Sequence, residues 1–211
     1  MLLAHKIALD QTPAQAVHFR RACGTARYAY NWRLDEWRRM YKAGEKPAMT
    51  KVKMRWNAYR KANLPWSYEV TKCASGQAIM DLGAAFANFF RDCKKPRSQR
   101  HFHIQSSRKR ALNQSFALWN DQFAVAGKGV RIAKLGLVRM REELRFDGKI
   151  TGATVSFSGG RWFISIQVDT DGARDTAPEG TFCGVDLGSR MLATLSVGKK
   201  KVPGPKPRKL Y

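Results

Sequence analysis

The first residues alternate. Positions 2–9 place apolar and polar side chains in turn and predict a short strand, which Asp10 ends. Thr12, Pro13 and Gln15 then carry the signals of a helix start: a capping hydroxyl, a proline at the first helical position, and a Gln three residues after the cap. From there Phe19, Cys23, Ala26, Tyr30, Leu34, Trp37 and Tyr41 recur at steps of four and three. That stripe predicts an amphipathic helix of about thirty residues, closed by Gly44 and Pro47. A second helix is expected over 50–61, ending before Leu64, Pro65 and Trp66. A third runs from about Ser67 or Thr71 to Arg91, with Ile79, Leu82, Phe86 and Phe89 on one face. Together they predict a small helical bundle whose apolar stripes are core.

The second half changes period. Val130 and Ile132 flank Arg131, Gly136 turns the chain into Val138 and Met140, and residues 150–157 alternate again. Gly159 and Gly160 are a hairpin signal, after which Trp162, Ile164, Ile166 and Val168 follow at period two. Short strands with tight turns predict a small β-barrel to which residues 2–9 add a strand. The fold class is therefore α+β. Between the halves, residues 91–110 hold eight Lys/Arg against one acid and show no apolar periodicity, as a basic loop would.

Composition narrows what such a chain can do. Its 211 residues allow one or two compact units. The 39 Lys/Arg outnumber 16 Asp/Glu, a net charge of +23 that calls for a polyanion as partner. The arginines on the outer faces of the first helix, Arg20, Arg27 and Arg33 among them, are expected to face phosphates, as are Arg97, Arg100, Arg108, Lys109 and Arg110 in the basic loop. No apolar run is long enough for a membrane span, so a membrane partner is not expected. Cys23, Cys73, Cys93 and Cys183 are scattered without a Cys-x-x-Cys pair, which suits a reducing cytoplasm and argues against zinc. His101 and His103 have metal-pair spacing but no third ligand nearby.

After a linker rich in Asp, Gly, Ala and Pro comes Gly184-Val185-Asp186-Leu187-Gly188, then an apolar run over 191–197. A carboxylate on the first strand of a hairpin, with glycines that let other groups approach, is how ribonuclease-H-like nucleases begin. Actin-like and sugar-kinase ATPases open on nearly the same string, though near their N-termini and without so basic a chain. In the nucleases such an Asp bridges two divalent metals. That chemistry draws on about three or more carboxylates, and no acid follows Asp186.

Read in order, these segments resemble the TnpB (OrfB) proteins of bacterial insertion sequences, known as transposases and related to type V CRISPR effectors. The resemblance rests on 19–32, on Pro65 and Trp66 with 70–74 and 85–91, on 132–140, on 162–168, and on Gly184–Gly188 with 192–194. It implies a helical recognition domain over 11–92, inserted in a wedge-like β-barrel of residues 1–10 and 120–170. A basic linker over 93–119 and a second linker over 171–180 then lead to the opening hairpin of a RuvC-like nuclease domain at 181–211. It also implies partners: a guide RNA from the transposon end, and target double-stranded DNA carrying a short adjacent motif. Lys72 and Gln77 match positions that contact that motif, which suits an amide reading a base edge and an ammonium meeting phosphate or guanine. Asp186 matches the first catalytic and metal-binding carboxylate, which uses Mg²⁺. The family run Tyr-Pro-Arg-Phe-Lys has no counterpart around 101–110, and the family's later acids and zinc cysteines are not in these residues. The expectation is a truncated, cleavage-defective relative in a prokaryotic cytoplasm, nucleoid-associated when bound. The alternatives are a non-cleaving regulator, a decayed transposase fragment, or a site that a partner chain completes.

Overall fold

A computed structural model of the chain describes residues 1–100, 105–109, 114–170, 183–188, 191–197 and 201–203, without the Arg97 side chain. The expectations for His101, His103, Arg110 and the 171–180 linker lie outside the described residues. The chain divides into two compact units, Met1–Asp171 and Gly172–Tyr211.

In the first unit strand β1 (Leu2–Asp10) leads into helices α1 (Pro13–Lys42), α2 (Met49–Asn63) and α3 (Lys72–Cys93). Strands β2 (Gln114–Trp119), β3 (Phe123–Ala126), β4 (Gly129–Ile132), β5 (Gly136–Met140), β6 (Lys149–Ser158) and β7 (Arg161–Asp169) follow. The start of α1 is as its sequence predicts. The Thr12 hydroxyl accepts from the Gln15 amide at 3.2 Å, and the Gln15 side chain accepts from the Thr12 amide at 2.9 Å. The second unit is a three-stranded antiparallel sheet of β8 (Val185–Asp186), β9 (Met191–Leu195) and β10 (Lys201–Pro203), with β9 central.

The strands of the first unit form an antiparallel sheet in the order β2-β6-β7-β1-β5-β4-β3. β1 joins two ladders: Leu2 to Ala8 pair with β7, while Leu9 and Asp10 pair with β5. β6 and β7 close through Gly159 and Gly160, whose φ values of 55° and 77° suit a two-residue hairpin turn. The sheet is open, with β2 and β3 as edges, so the closed β-barrel is corrected to an open antiparallel sheet. Alternation reports which face of a strand is buried; it is the same whether or not two edge strands pair. Residues 114–119, inside the stretch read as linker, form edge strand β2 and bury Phe116 and Leu118.

Helices and sheet share their core. Phe19 of α1 lies 5.0 Å, centroid to centroid, from Trp162 of β7, and Val70 and Ala74 join the same cluster as Ile7, Val155 and Ile164. A second cluster holds the helices together through Tyr30, Leu34, Trp56, Ala78 and Leu82. The buried line of α3 is thus Ala74, Ala78 and Leu82, at steps of four, whereas Ile79 is only partly buried. Small side chains there let α3 approach α1 and the sheet at once.

Candidate nucleic-acid interface

Where α3 meets β2, four side chains form a continuous polar relay. The Trp119 indole N–H donates to Gln77 Oε1 at 3.0 Å, and Gln77 Nε2 donates to Asp81 Oδ1 at 3.1 Å. Asp81 Oδ2 accepts from Arg108 Nη2 at 3.1 Å, and the Arg108 guanidinium lies 3.9 Å over the Tyr30 ring. The Arg108 backbone is clamped as well, because Asn31 donates to its carbonyl at 3.0 Å and accepts from its amide at 2.7 Å. Glycine at position 76 makes the arrangement possible. A Cβ there would sit 2.7 Å from the Trp119 ring. The groove so lined has a volume of about 450 Å³, with Thr151, Thr154 and Gln167 of the sheet on its other side.

A basic groove shares Arg108 and Asp81 with it and adds Arg27 and Lys109. Three of the cations expected to face phosphates, from two separate segments, converge here. Lys109 is exposed and Arg27 half-buried, and Arg27 carries no ion pair among the described residues. Arg20 is exposed on the first half of α1. Arg100 donates through Nε to the Lys95 carbonyl at 2.8 Å and so caps its own loop. The backbone of Arg97 lies in a short 3-10 turn, Arg97–Gln99.

Arg33 is a correction. It was expected to face phosphate, but it is only 2% exposed, donates to the Ser75 carbonyl and lies 4.6 Å over the Trp56 ring. Burial pulls its pKa down to about 9, still above neutrality, so the guanidinium stays charged inside the helical core. It ties α1 to α3 and presents nothing to a ligand.

Lys72 and Gln77 stand on the first turns of α3, but neither is idle. Lys72 Nζ pairs with Asp121 Oδ2 at 2.5 Å, which raises the Lys72 pKa and lowers that of Asp121. With Trp119 on its oxygen and Asp81 on its nitrogen, Gln77 keeps one N–H and one lone pair for anything else. Sequence reading had no signal for Trp119 or Asp81. Only the packing of β2 on α3 brings them to Gln77.

In the second unit Asp186 is exposed on β8, paired with Thr194 of β9 and flanked by Gly184 and Gly188. Among the described residues no group of three or more His, Cys, Asp or Glu side chains could hold a metal ion. Without such a group, Asp186 as described does not fit a two-metal site. No helix among the described residues is long and apolar enough to cross a membrane.

Residues 1–46 match a family profile described as a helix-turn-helix domain, of OrfB type. In this chain that span is β1 and the single long helix α1; the turn to α2 comes only at its end. A relative from Escherichia coli (strain K12), named "Putative RNA-guided DNA endonuclease InsQ", is 28% identical over 93% of this chain and 48% of its own length. Another, from Streptomyces pristinaespiralis and named "Putative RNA-guided DNA endonuclease", is 30% identical over 96% of this chain and 50% of its own. The chain therefore spans about half the length of these relatives. The resemblance to the TnpB/OrfB proteins is thereby borne out.

Proposed function

We propose, from this chain's kinship with the TnpB/OrfB family, that it binds RNA and DNA as the recognition portion of RNA-guided DNA targeting. The observation that carries the reading is the groove of Arg27, Arg108 and Lys109 beside the Gln77–Trp119 relay. Cations held on a helix and on a loop clamped against it track a phosphate backbone, and an oriented amide next to them reads a base edge. In this reading Arg20, Arg27, Arg108 and Lys109 hold backbone, while Lys72 and Gln77 meet the short motif beside the DNA target. A guide RNA from the transposon end and target double-stranded DNA are the partners.

Binding without cleavage is the activity these residues support, since Asp186 has no metal-holding group of three or more side chains around it among the described residues. In the fuller family reading it would be one ligand for Mg²⁺, the ion that activates water and steadies the leaving oxygen.

Salt tests the reading. If about six to ten phosphates are met, log affinity for RNA falls against log salt with a slope on the order of −5 to −9. A flat dependence would overturn it. Incubation of the chain with its RNA, target DNA and Mg²⁺ is expected to leave the DNA intact; cleavage that Asp186→Ala abolishes would overturn the non-cleaving part.

A further inference from the structure

A larger groove, of about 830 Å³, runs along α1 and the 3-10 turn Pro65–Tyr68, and the polar relay does not use it. Its aromatic lining is Tyr28, Trp32 and Trp66. Tyr28 is 38% and Trp66 43% exposed, a large apolar area to leave in water. The rings are nonetheless fixed in place. Trp32 stacks on Tyr59 at 4.9 Å, Tyr28 meets Trp66 edge-on at 5.9 Å, and the Tyr28 and Tyr59 hydroxyls are hydrogen-bonded at 3.0 Å. Gly24 lines the groove at an open position, where a Cβ would meet nothing within 4 Å.

Two features identify the occupant. Arg27 lines this groove and also the basic groove with Arg108 and Lys109, so one cation stands at the junction of the two. Of the polar groups along the aromatic groove, Arg21, Thr25, Asn31, Glu69 and Asp35 already have partners, Asp35 through Arg38 at 3.7 Å. Arg21 pairs with Glu69 at 3.0 Å, the Thr25 hydroxyl donates to the Arg21 carbonyl at 2.9 Å, and Asn31 clamps Arg108. A ligand here gains stacking and one phosphate contact but little hydrogen-bonded reading. Those are the terms on which a chain of net charge +23 holds an unpaired nucleotide.

We propose that the groove takes one unpaired base of a nucleic-acid strand, stacked against Trp66 and Tyr28, with its phosphate held at Arg27. The proposal rests on the nucleic-acid reading above and adds a stacking site that is indifferent to sequence.

The test uses the full chain, a labelled oligouridylate of about 20 nucleotides, and a duplex DNA of equal length. Gly24→Leu fills the groove from an open helix position without removing any contact, and Trp66→Ala removes one wall. Each is expected to weaken single-strand binding roughly tenfold while duplex affinity stays unchanged, and Gly24→Leu should keep the parent melting temperature. Arg27→Gln is expected to weaken both ligands and to make the salt slope shallower by about 0.7–0.9. Unchanged single-strand affinity in Gly24→Leu overturns the proposal, as does an equal loss for the duplex. So does a dimer that Gly24→Leu disrupts, since a second copy would then be the occupant. Failure of the parent chain to bind either ligand would instead overturn the broader reading of the preceding section.

Discussion

At the scale of single residues, the arginines of α1 sit in two different environments, and burial tells them apart. Arg20 and Arg33 are thirteen positions apart on one helix, yet one is exposed and the other is 2% exposed over Trp56. Arg33→Ala is expected to lower stability by about 2–4 kcal/mol, because it empties a packed site and removes the donor to Ser75. The salt slope of nucleic-acid binding should not change. Arg20→Gln should do the reverse, with a slope shallower by about 0.9 on duplex DNA and a melting curve as in the parent. The Lys72–Asp121 pair makes a pH prediction. Lys72 holds the Asp121 carboxyl below its ordinary value, so the pair contributes above the usual carboxylate range and is lost as pH falls through the lowered value. A carboxyl-detected NMR titration of Asp121 should show that low midpoint, and in Lys72→Met it should return toward the ordinary carboxylate value.

At the scale of elements, the decisive contact is β2 against the first turns of α3. The Trp119 amide donates to Cys73 Sγ at 3.2 Å, its indole to Gln77, and its ring covers Gly76. Gly76→Ala gains helix propensity of about 1 kcal/mol but forces a methyl into the Trp119 ring, and overpacking costs about 1–3. The net expectation is a loss of up to about 2 kcal/mol, seen in thermal melts, together with a shift in Trp119 fluorescence as the ring leaves Gln77. At the turn between α1 and α2 the same logic uses charge. Buried Glu36 accepts from Arg39 at 2.5 Å and from Arg55 at 2.7 Å, and Arg55 also reaches Glu45. On the same turns α1 buries Met40 and leaves Tyr41 73% exposed, against the stripe extrapolated to Tyr41. Periodicity located the helix, and the stripe fails only at its last turn.

At the scale of the molecule, one core runs from helices to sheet within the first unit. Phe19 reaches Trp162 and Phe116, and both hydrophobic clusters lie inside Met1–Asp171. A chain of residues 1–171 is therefore expected to melt in a single cooperative transition at the temperature of the parent's main transition, measured by circular dichroism. A lower or broader transition would show that the second unit supports the first. The sequence alone was enough for the elements whose cause is local. The Thr12–Gln15 cap, the α1 stripe through Leu34, the Gly159–Gly160 hairpin and the alternation of β7 all depend on neighbours within a few residues. It was also enough for the expectation of a polyanion partner, because net charge needs no coordinates. Tertiary structure decided what depends on distant partners. It buried Arg33, left the sheet open at β2 and β3, and turned α3 onto its small residues. It also placed Trp119 and Asp81 on Gln77, and set Arg27 between two grooves. Spacing shows which side chains share a face; what packs against that face is settled only when the chain closes on itself.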